Sequence, residues 1–507
     1  MQKKQLTLVI VSLLVVVLSV SLAYFTAQII GKGKNVTINS ADLKIIFTDS
    51  DGSISGSNIE PGKWDVTKTF TIENKSNETY KYNIVIQDLV NTFVTEGYLQ
   101  YKITSTNGGY NMTEFEDIPK SSIATDTILA YSASIDVGVT QSYTVEFKYA
   151  NDESVDQSDD MGKTLSGKLF ITEGTEKLVT LLSQLLADKT TRPGERTDFS
   201  TNLTNDNTNT LYTSTEDSRT VYYFAGNATD NWVKFGKNAS NQELYWRIIR
   251  TNSDGSVRLL YHGTSTTATD AFIKTNTVFN ERSGDPMYVG YMYGTSGSLE
   301  NNRTNENSSA IKGVIDTWYA SNLEAKGYTK YLSTTAVYCN DRSNPAGGYN
   351  TGKTRFNYGA YTRINTNETP SYDCAAIEDK FTVDTSTGNG KLTYPIALMT
   401  ADEVAFASGV QIFSNSPTWY YYNSTKGSST GKTEWWLLSP AFWDNGSLWA
   451  IVFYVHGSSY PGRLNYYKVS NAYGVRPALS LKSCVKYSSG DGTADNPYTI
   501  KETTSGC

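Results

Sequence analysis

The sequence has little of what metal centres and metal-dependent hydrolases need. It contains two histidines, His262 and His456, and four cysteines, none of them in a Cys-x-x-Cys pair. Protein zinc sites draw on clustered His and Cys, so we expect no metal site and no cofactor. A His-Glu-x-x-His motif is absent, and each histidine is isolated in the sequence. The sequence therefore predicts a protein that is not an enzyme.

Positive charge is also scarce. The chain of 507 residues carries 44 Lys and Arg against 51 Asp and Glu, a formal charge of -7, and has no basic block outside its first residues. Nucleic-acid-binding domains usually show a basic patch or stripe, so we expect no nucleic-acid partner. No internal repeat of solenoid period is visible, while the length allows two or three domains with packed cores.

The amino terminus predicts export. Two lysines lie within residues 1–4, and residues 6–25 follow without a charge. Such a run is long enough to cross a bilayer, and the lysines favour an amino terminus inside the cell. Small residues at Ser21 and Ala23 also fit a signal peptidase site, so residues 1–30 are either a cleaved signal peptide or a membrane anchor.

The next part of the chain predicts an all-β sandwich of the jelly-roll or immunoglobulin-like type, over residues 31–174. Apolar and polar residues alternate with the period of a half-buried strand in residues 36–47, 65–74, 80–89, 98–106, 142–150 and 166–174. The stretch PGKWDVTKTFTIENKSNETYKYNIVIQDLVNTF at residues 61–93, shortly after an export segment, resembles the camelysin and TasA-like surface proteins. That resemblance implies a sandwich that serves as a stalk or that assembles into fibres.

Residues 175–219 read as a connection. Leucines at positions 178, 181, 182, 185 and 186 have helical spacing and predict a helix over residues 175–188. The Thr-, Asn- and Asp-rich residues 189–219 predict a linker or long surface loop. Residues 220–507 then predict an α+β domain, with a hairpin over 244–263, a helix within 308–327 and a capped helix at 400–409.

A resemblance supports that domain. It rests on nine ordered motifs: YYFAGN (222–227), WRIIR (246–250), DGSVRLLY (254–261), IKGVIDTWY (311–319), VYCNDRS (337–343), YPIALMTADEVAFASG (394–409), WWLLSP (435–440), GVRPALSL (474–481) and GDGTADNPY (490–498). Together they resemble a family of bacterial surface domains with the fold of formylglycine-generating enzymes and C-type lectins. The variable proteins of diversity-generating retroelements share this fold, which implies a ligand-binding surface that adenine-directed mutagenesis can diversify. The redox cysteine pair of the formylglycine-generating enzymes has no counterpart here, so that enzyme activity is the less favoured reading.

The run between WWLLSP and GVRPALSL is rich in aromatic and small polar residues, a mixture typical of adaptable binding surfaces. We therefore expect it to bind a protein or glycan on another cell or surface. The candidate ligand-binding residues are Phe442, Trp443, Asp444, Asn445, Trp449, Tyr454, His456, Ser458, Tyr460, Arg463, Asn465, Tyr467, Asn471 and Tyr473. The alternative is that strand alternation buries many of these rings in the core. The flanking Trp435, Trp436 and Arg476 are interpreted as scaffold.

The four cysteines fit an oxidising compartment. Three pairings are open, and neighbourhood in the sequence favours Cys339 with Cys374 and Cys484 with Cys507. The chain thus predicts an extracellular, secreted or membrane-anchored multidomain protein that displays a ligand-binding domain. A structural fibre of the cell surface or biofilm matrix is the alternative.

Overall fold

The computed structural model describes residues 36–37, 43–47, 52–56, 59–75, 77–175, 177, 179–200, 203, 209–268, 271–349, 355–408, 419–421, 433–457 and 460–507. The protein is rich in β-structure, with 39% strand and 14% helix, and it divides into two compact units, Met1–Lys177 and Leu178–Cys507. The predicted export segment, residues 1–30, lies outside the described residues. Within the described residues, no helix is both long enough and apolar enough to cross a membrane.

The first unit contains two antiparallel sheets. Its strands are β1 (Val36–Thr37), β2 (Leu43–Phe47), β3 (Ser53–Gly56), β4 (Asp65–Asn74), β5 (Tyr80–Asn91), β6 (Leu99–Ser105), β7 (Glu116–Asp117), β8 (Ser121–Ile135), β9 (Thr140–Tyr149) and β10 (Leu165–Glu173). One sheet has the order β1-β2-β4-β9-β6-β7 and the other β3-β10-β5-β8. Phe70 and Ile72 of the first sheet share one core with Ile84 and Ile86 of the second. This is the layered arrangement of a β-sandwich, as the alternating pattern predicts.

The second unit is larger and mixes strands with short helices. Its strands are β11 (Thr190–Thr191), β12 (Thr210–Glu216), β13 (Arg219–Tyr223), β14 (Trp232–Lys237), β15 (Glu243–Thr251), β16 (Val257–Gly263), β17 (Lys274–Val278), β18 (Met292–Tyr293), β19 (Asn307–Ser308), β20 (Tyr338–Cys339), β21 (Phe356–Asn357), β22 (Lys380–Phe381), β23 (Ile396–Leu398), β24 (Trp435–Asp444), β25 (Trp449–Val455), β26 (Leu464–Lys468), β27 (Ala472–Val475), β28 (Pro477–Leu481), β29 (Tyr487–Ser489) and β30 (Tyr498–Ile500). Its α-helices are α1 (Leu181–Asp188), α2 (Leu299–Asn302), α3 (Ala310–Tyr319), α4 (Gly359–Tyr361) and α5 (Ala401–Ala407).

Two large sheets organise this unit. The ten-stranded sheet has the order β11-β12-β13-β15-β14-β30-β29, with β16 joining β15 to β28 and β23 beside β28. The six-stranded sheet has the order β17-β27-β24-β25-β26, with β21 beside β24. Strands from the start and the end of the unit meet where β14 pairs in parallel with β30. The predicted hairpin over residues 244–263 is confirmed as β15 and β16.

The unit boundary differs from the sequence-based domain limits. The predicted connecting helix begins at Leu181 and packs Leu181 and Leu185 into the core of the second unit. Residues 210–216, placed in a linker by composition, form β12 and pair with β13. Threonine is a good strand former, and the alternation in Thr210–Glu216 buries Leu211 completely. This part of the predicted linker therefore belongs to the second unit.

Buried ion pairs fix the centre of the second unit. Glu403 of α5 accepts hydrogen bonds from Arg250 Nε at 2.9 Å and from Arg258 Nη1 at 2.7 Å. The same carboxylate accepts from the backbone N–H of Thr400 and completes the predicted capping box. Burial alone would raise the pKa of Glu403, but the two guanidinium groups outweigh burial and lower it. The ion pairs thus tie α5 to the hairpin of β15 and β16.

Two disulfide bonds close loops in the second unit. Cys339 is bonded to Cys374 and Cys484 to Cys507, so the pairing by neighbourhood is confirmed. Disulfides persist in oxidising compartments. The bonds therefore fit an extracellular location.

Candidate ligand-binding surface

The six-stranded sheet carries most of the residues singled out by the sequence. β24 runs between β25 and β27, and its register places Trp436 opposite Tyr454 and Trp443 opposite Ala450. Nearly every residue of β24 is buried, which is the pattern of a strand covered on both faces. Trp435 and Trp436 are fully buried, so their interpretation as scaffold is confirmed. The sheet is a rigid support for the shorter strands beside it.

Three of the candidate aromatic residues belong to the buried core of the second unit: Phe442, Trp443 and, at 6% exposure, Tyr454. Trp443 is fully buried, and Phe442 is 5% exposed. β21 covers this end of β24 by pairing Phe356 with Trp443, and Arg355 lies 3.8 Å over the Phe442 ring. The expectation that Phe442 and Trp443 face a ligand is therefore corrected, because a strand from a distant segment covers them.

Five candidates on one face of the sheet and in the turn after β25 are here called the ring patch: Tyr454, His456, Tyr460, Tyr467 and Tyr473. Ring centroids are 4.6 Å apart for Tyr454 and Tyr473, 5.9 Å for Tyr454 and His456, and 5.6 Å for His456 and Tyr460. Asn465 of β26 lies opposite Tyr454 of β25, so the two side chains are on the same face of the sheet. Tyr467 is two residues after Asn465 and therefore lies on that face as well. The ring patch thus spans three strands and the turn after β25.

Exposure increases across the ring patch. Tyr454 is 6% exposed, while Tyr460 and Tyr467 are 44% and 39% exposed. Trp436 lies beneath the patch, with its ring 4.7 Å from that of Tyr473, and its Nε1 donates to the Thr277 carbonyl at 2.8 Å. The half-exposed Tyr473 ring is therefore supported from below by a fully buried ring.

Polar groups border the ring patch. Asn471 Nδ2 donates to the Tyr473 hydroxyl at 3.3 Å, and Asn465 Oδ1 accepts from the Tyr466 N–H at 2.8 Å. Burial, and then the adjacent Tyr473 hydroxyl, raise the pKa of Tyr454. Burial also raises the pKa of Tyr473. Both phenols therefore stay neutral over the physiological range and can donate or accept hydrogen bonds.

Two cations stack on rings at the borders of this surface. The Arg463 guanidinium lies 3.8 Å from the Tyr460 ring centroid, and the Lys468 ammonium lies 4.9 Å from that of Trp449. Arg463 is 8% exposed, and its backbone carbonyl accepts from the His456 N–H at 2.8 Å. Arg463 thus holds the turn after β25 in addition to presenting charge. Cation–π contacts of this kind are worth about 0.5–2 kcal/mol.

The remaining candidates lie around the turn between β24 and β25 or outside the description. Asp444, Asn445 and Trp449 are half-buried, with Trp449 at 6.0 Å from the Tyr467 ring. Asp444 Oδ1 accepts from the Gly446 N–H at 3.0 Å and shapes the turn. Ser458 lies outside the described residues. The structure therefore brings Trp449 towards Tyr467, while Asp444 has a local role in the turn.

Glu434, which lies beside the ring patch, was not among the residues predicted from the sequence. Glu434 precedes the buried Trp435, and its side chain is 27% exposed with Oε1 3.8 Å from His456 Nδ1. Its backbone carbonyl accepts from the Gly474 N–H at 2.7 Å, which fixes it next to Tyr473. A charged residue at the start of an apolar strand gives no sequence signal of its own. Only the strand pairing shows that Glu434 belongs to the surface.

The other histidine has a different environment. His262 is fully buried, with its ring 4.4 Å from Trp232 and 5.8 Å from Tyr421. Burial, and then Arg247 and Arg476, lower its pKa well below the usual value. The charged groups that act on the pKa of His262 are thus two arginines. Among the described residues, no group of three or more His, Cys, Asp or Glu is arranged to hold a metal ion.

Arg476 is part of the scaffold, as its place in GVRPALSL predicts. It is fully buried between β27 and β28, and its guanidinium lies 4.0 Å from the Tyr421 ring and 4.5 Å from Phe272. Aromatic stacking is one of the two partner types expected for a buried arginine. Arg476 lies where the chain passes from the six-stranded sheet to the ten-stranded sheet.

An open groove of about 840 Å³ lies on the same unit, between β17 and α3. Its lining includes Thr277, Val278, Val314 and Trp318. Neither histidine and no described cysteine lines it. Neither His262 nor His456 therefore contributes a side chain to the groove.

Comparison with known proteins returned no matching family model, no similar curated protein and no similar solved structure.

Proposed function

We propose that this chain is an exported bacterial surface protein whose second unit is a C-type-lectin-like domain that binds a ligand through the ring patch. The first unit serves as a β-sandwich stalk. The amino-terminal segment provides a signal peptide or a membrane anchor, and the ligand is a protein or glycan on another cell or surface. In this proposal the protein recognises its ligand without catalysing a reaction on it.

The observation that carries the proposal is a set of half-exposed rings held side by side on a buried sheet. The half-exposed Tyr473 ring lies 4.7 Å from the fully buried Trp436, and the exposed Tyr460 ring lies 5.6 Å from that of His456. Rigid aromatic side chains lose little conformational entropy on binding and supply large apolar contact areas. Asn465 and Asn471 add hydrogen-bonding groups at the border. Together these features match the chemistry of a recognition surface.

The resemblance to retroelement variable proteins adds a second component to the proposal. A diversified surface needs positions that tolerate substitution beside strands that do not. The half-exposed Asn465 lies on β26, and the half-exposed Tyr473 lies on β27, which pairs with the buried β24 and leads into the buried β28. Surface substitutions usually change stability by less than about 0.5 kcal/mol. These half-exposed positions therefore suit diversification without loss of the fold, whereas the buried Tyr454 does not.

Binding by the intact chain to a glycan array and to a panel of bacterial and host cells tests the proposal. Replacing Tyr460, Tyr467 and Tyr473 together by Ala should weaken the selected interaction by about 30-fold or more, the range of interface hot spots. Tyr245, half-buried in the ten-stranded sheet, provides the matched control as Tyr245→Ala. Equal binding by the wild type and the triple variant would contradict the ring patch as the binding surface.

A structural fibre protein is the second candidate, and the two-sheet first unit supports it. Under this alternative the intact chain assembles through its first unit and the second unit binds nothing. Electron microscopy of the purified chain separates the two proposals. Fibres that persist in the triple variant, together with no binding on the array or to cells, would favour the structural role.

A further inference from the structure

We infer that the ring patch receives a primary ammonium group, the side chain of a lysine in a protein ligand, with Glu434 as its counter-charge. This inference rests on the proposed function and names the chemistry of its ligand. It draws on three observations: the position of a carboxylate with few partners, the rings around it, and the cations already stacked on the neighbouring rings.

Within the described part of the chain, the carboxylate of Glu434 has few partners. Among the described residues, the basic group found within 4 Å of it is His456 Nδ1 at 3.8 Å, beyond hydrogen-bond distance. His456 Nδ1 also lies 3.1 Å from the Gly457 carbonyl. A half-buried carboxylate gains considerably from a donor that carries positive charge. The surroundings of Glu434 therefore favour a ligand that brings such a donor.

The rings next to Glu434 suit a cation as well. Tyr454 and Tyr473 lie 4.6 Å apart, and the charge of Glu434 acts on both phenols. Ring faces attract cations because the π-system carries negative charge density. The two hydroxyls can also accept N–H hydrogen bonds. An ammonium group with N–H donors satisfies the carboxylate and the hydroxyls together, whereas a quaternary ammonium group offers no N–H.

The protein's own cations show the same preference at the neighbouring rings. Arg463 stacks on Tyr460, and Lys468 lies over Trp449. In the part of the chain that the structure describes, no lysine or arginine lies over Tyr454 or Tyr473. The ring pair beside Glu434 is thus where a cation from outside the chain meets both negative charge and aromatic faces.

Saturation-transfer NMR with the intact chain tests this inference, because it detects weak ligands of a large protein. The probes are Nα-acetyl-lysine amide, its Nε-trimethylated form and Nα-acetyl-norleucine amide, which keeps the apolar stem without the charge. We expect the lysine probe to bind, and the norleucine probe to bind at least about tenfold more weakly, the usual contribution of a charged hydrogen bond. Equal binding of the norleucine probe would overturn the inference, and so would equal binding of the trimethylated probe.

Substitutions locate the effect. Glu434→Gln keeps the shape of the side chain, removes its charge and should weaken lysine binding by about tenfold. Glu281→Gln, which changes an exposed carboxylate at the groove, is the matched control and should leave binding unchanged. Thermal unfolding of each variant shows whether its fold is intact. A natural ligand whose binding is lost in the tyrosine triple variant but unchanged in Glu434→Gln would overturn this inference and leave the proposed function standing.

Discussion

The rings of Tyr454 and Tyr473 lie 4.6 Å apart although β24 runs between the strands that carry them. The contact is made above Trp436 of β24, whose ring is 4.7 Å from Tyr473 and 6.3 Å from Tyr454. A surface ring is thus supported by a buried ring, and the two have different energetic roles.

Trp443→Ala should lower the free energy of unfolding of the second unit by about 3–5 kcal/mol, because it empties a fully buried site. Tyr467→Ala should change it by about 0.5 kcal/mol or less, since that ring is 39% exposed. Chemical denaturation followed by tryptophan and tyrosine fluorescence measures both. A Trp443→Ala variant as stable as the wild type would contradict the burial of Trp443 in the core.

Glu403→Gln should destabilise the second unit by about 3–5 kcal/mol at neutral pH, because Arg250 and Arg258 lose a buried counter-charge. The pKa of Glu403 is lowered in the folded state from an ordinary value of 4.5. Its contribution is therefore present above that value and is lost as the pH falls through the lower folded pKa. The stability difference between wild type and variant should shrink on acidification.

Denaturation midpoints measured from neutral pH down to about pH 3 follow this difference. Glu306→Gln, a change at an exposed carboxylate, is the control and should stay close to the wild type throughout. A difference for Glu403→Gln that grows as the pH falls would contradict the assigned direction of the pKa.

Removing the bond between Cys339 and Cys374 by a double substitution to Ser should cost about 3–4 kcal/mol, because the bond closes a loop of 35 residues in the unfolded chain. Adding a reductant to that variant should then expose the contribution of Cys484–Cys507. Thermal unfolding with and without the reductant measures both effects. A variant that unfolds like the oxidised wild type would show that the first bond contributes nothing to stability.

The diversification component predicts a near-copy of the DNA that encodes residues 440–475, beside a gene for a reverse transcriptase. The two copies should differ at adenines, and the affected codons should encode half-exposed or exposed residues such as Tyr460, Asn465, Tyr467, Asn471 and Tyr473. Genome sequencing of the source strain provides the measurement. Differences concentrated in the codons of buried residues such as Ala450 and Val452 would contradict a role in varying the surface.

Sequence patterns predicted the strands well where one face is buried. The alternation in Asp65–Asn74 predicted β4 with its observed bounds, because apolar and polar residues follow the pleat. β8 was missed, since its first half, from Ser121, is largely exposed and lacks alternation. Pairing with β5 stabilises that strand. The residues of β8 alone do not indicate this pairing, because β5 lies in a distant segment of the sequence.

The candidate surface was only partly predicted from the sequence, again because strand pairing between distant segments decides which residues are buried. Trp443 and Trp449 have comparable neighbours in the sequence, yet Trp443 is fully buried and Trp449 is half-buried. The difference comes from Phe356, which β21 brings across from far away in the chain. Composition identified the right segment, but only the strand register decides which rings face outward.

Arg476 has a mechanical consequence. It is the single residue between β27 and β28, so the backbone passes from one large sheet to the other without a loop. A ligand pulling on Tyr473 would transmit tension along covalent bonds into β28. β28 forms four residue pairs with β16 on one side and three with β23 on the other. Sliding β28 along its neighbours would require all these pairs to break at the same time. Under the proposed binding role, this strand arrangement would let the domain bear a load applied through its ligand.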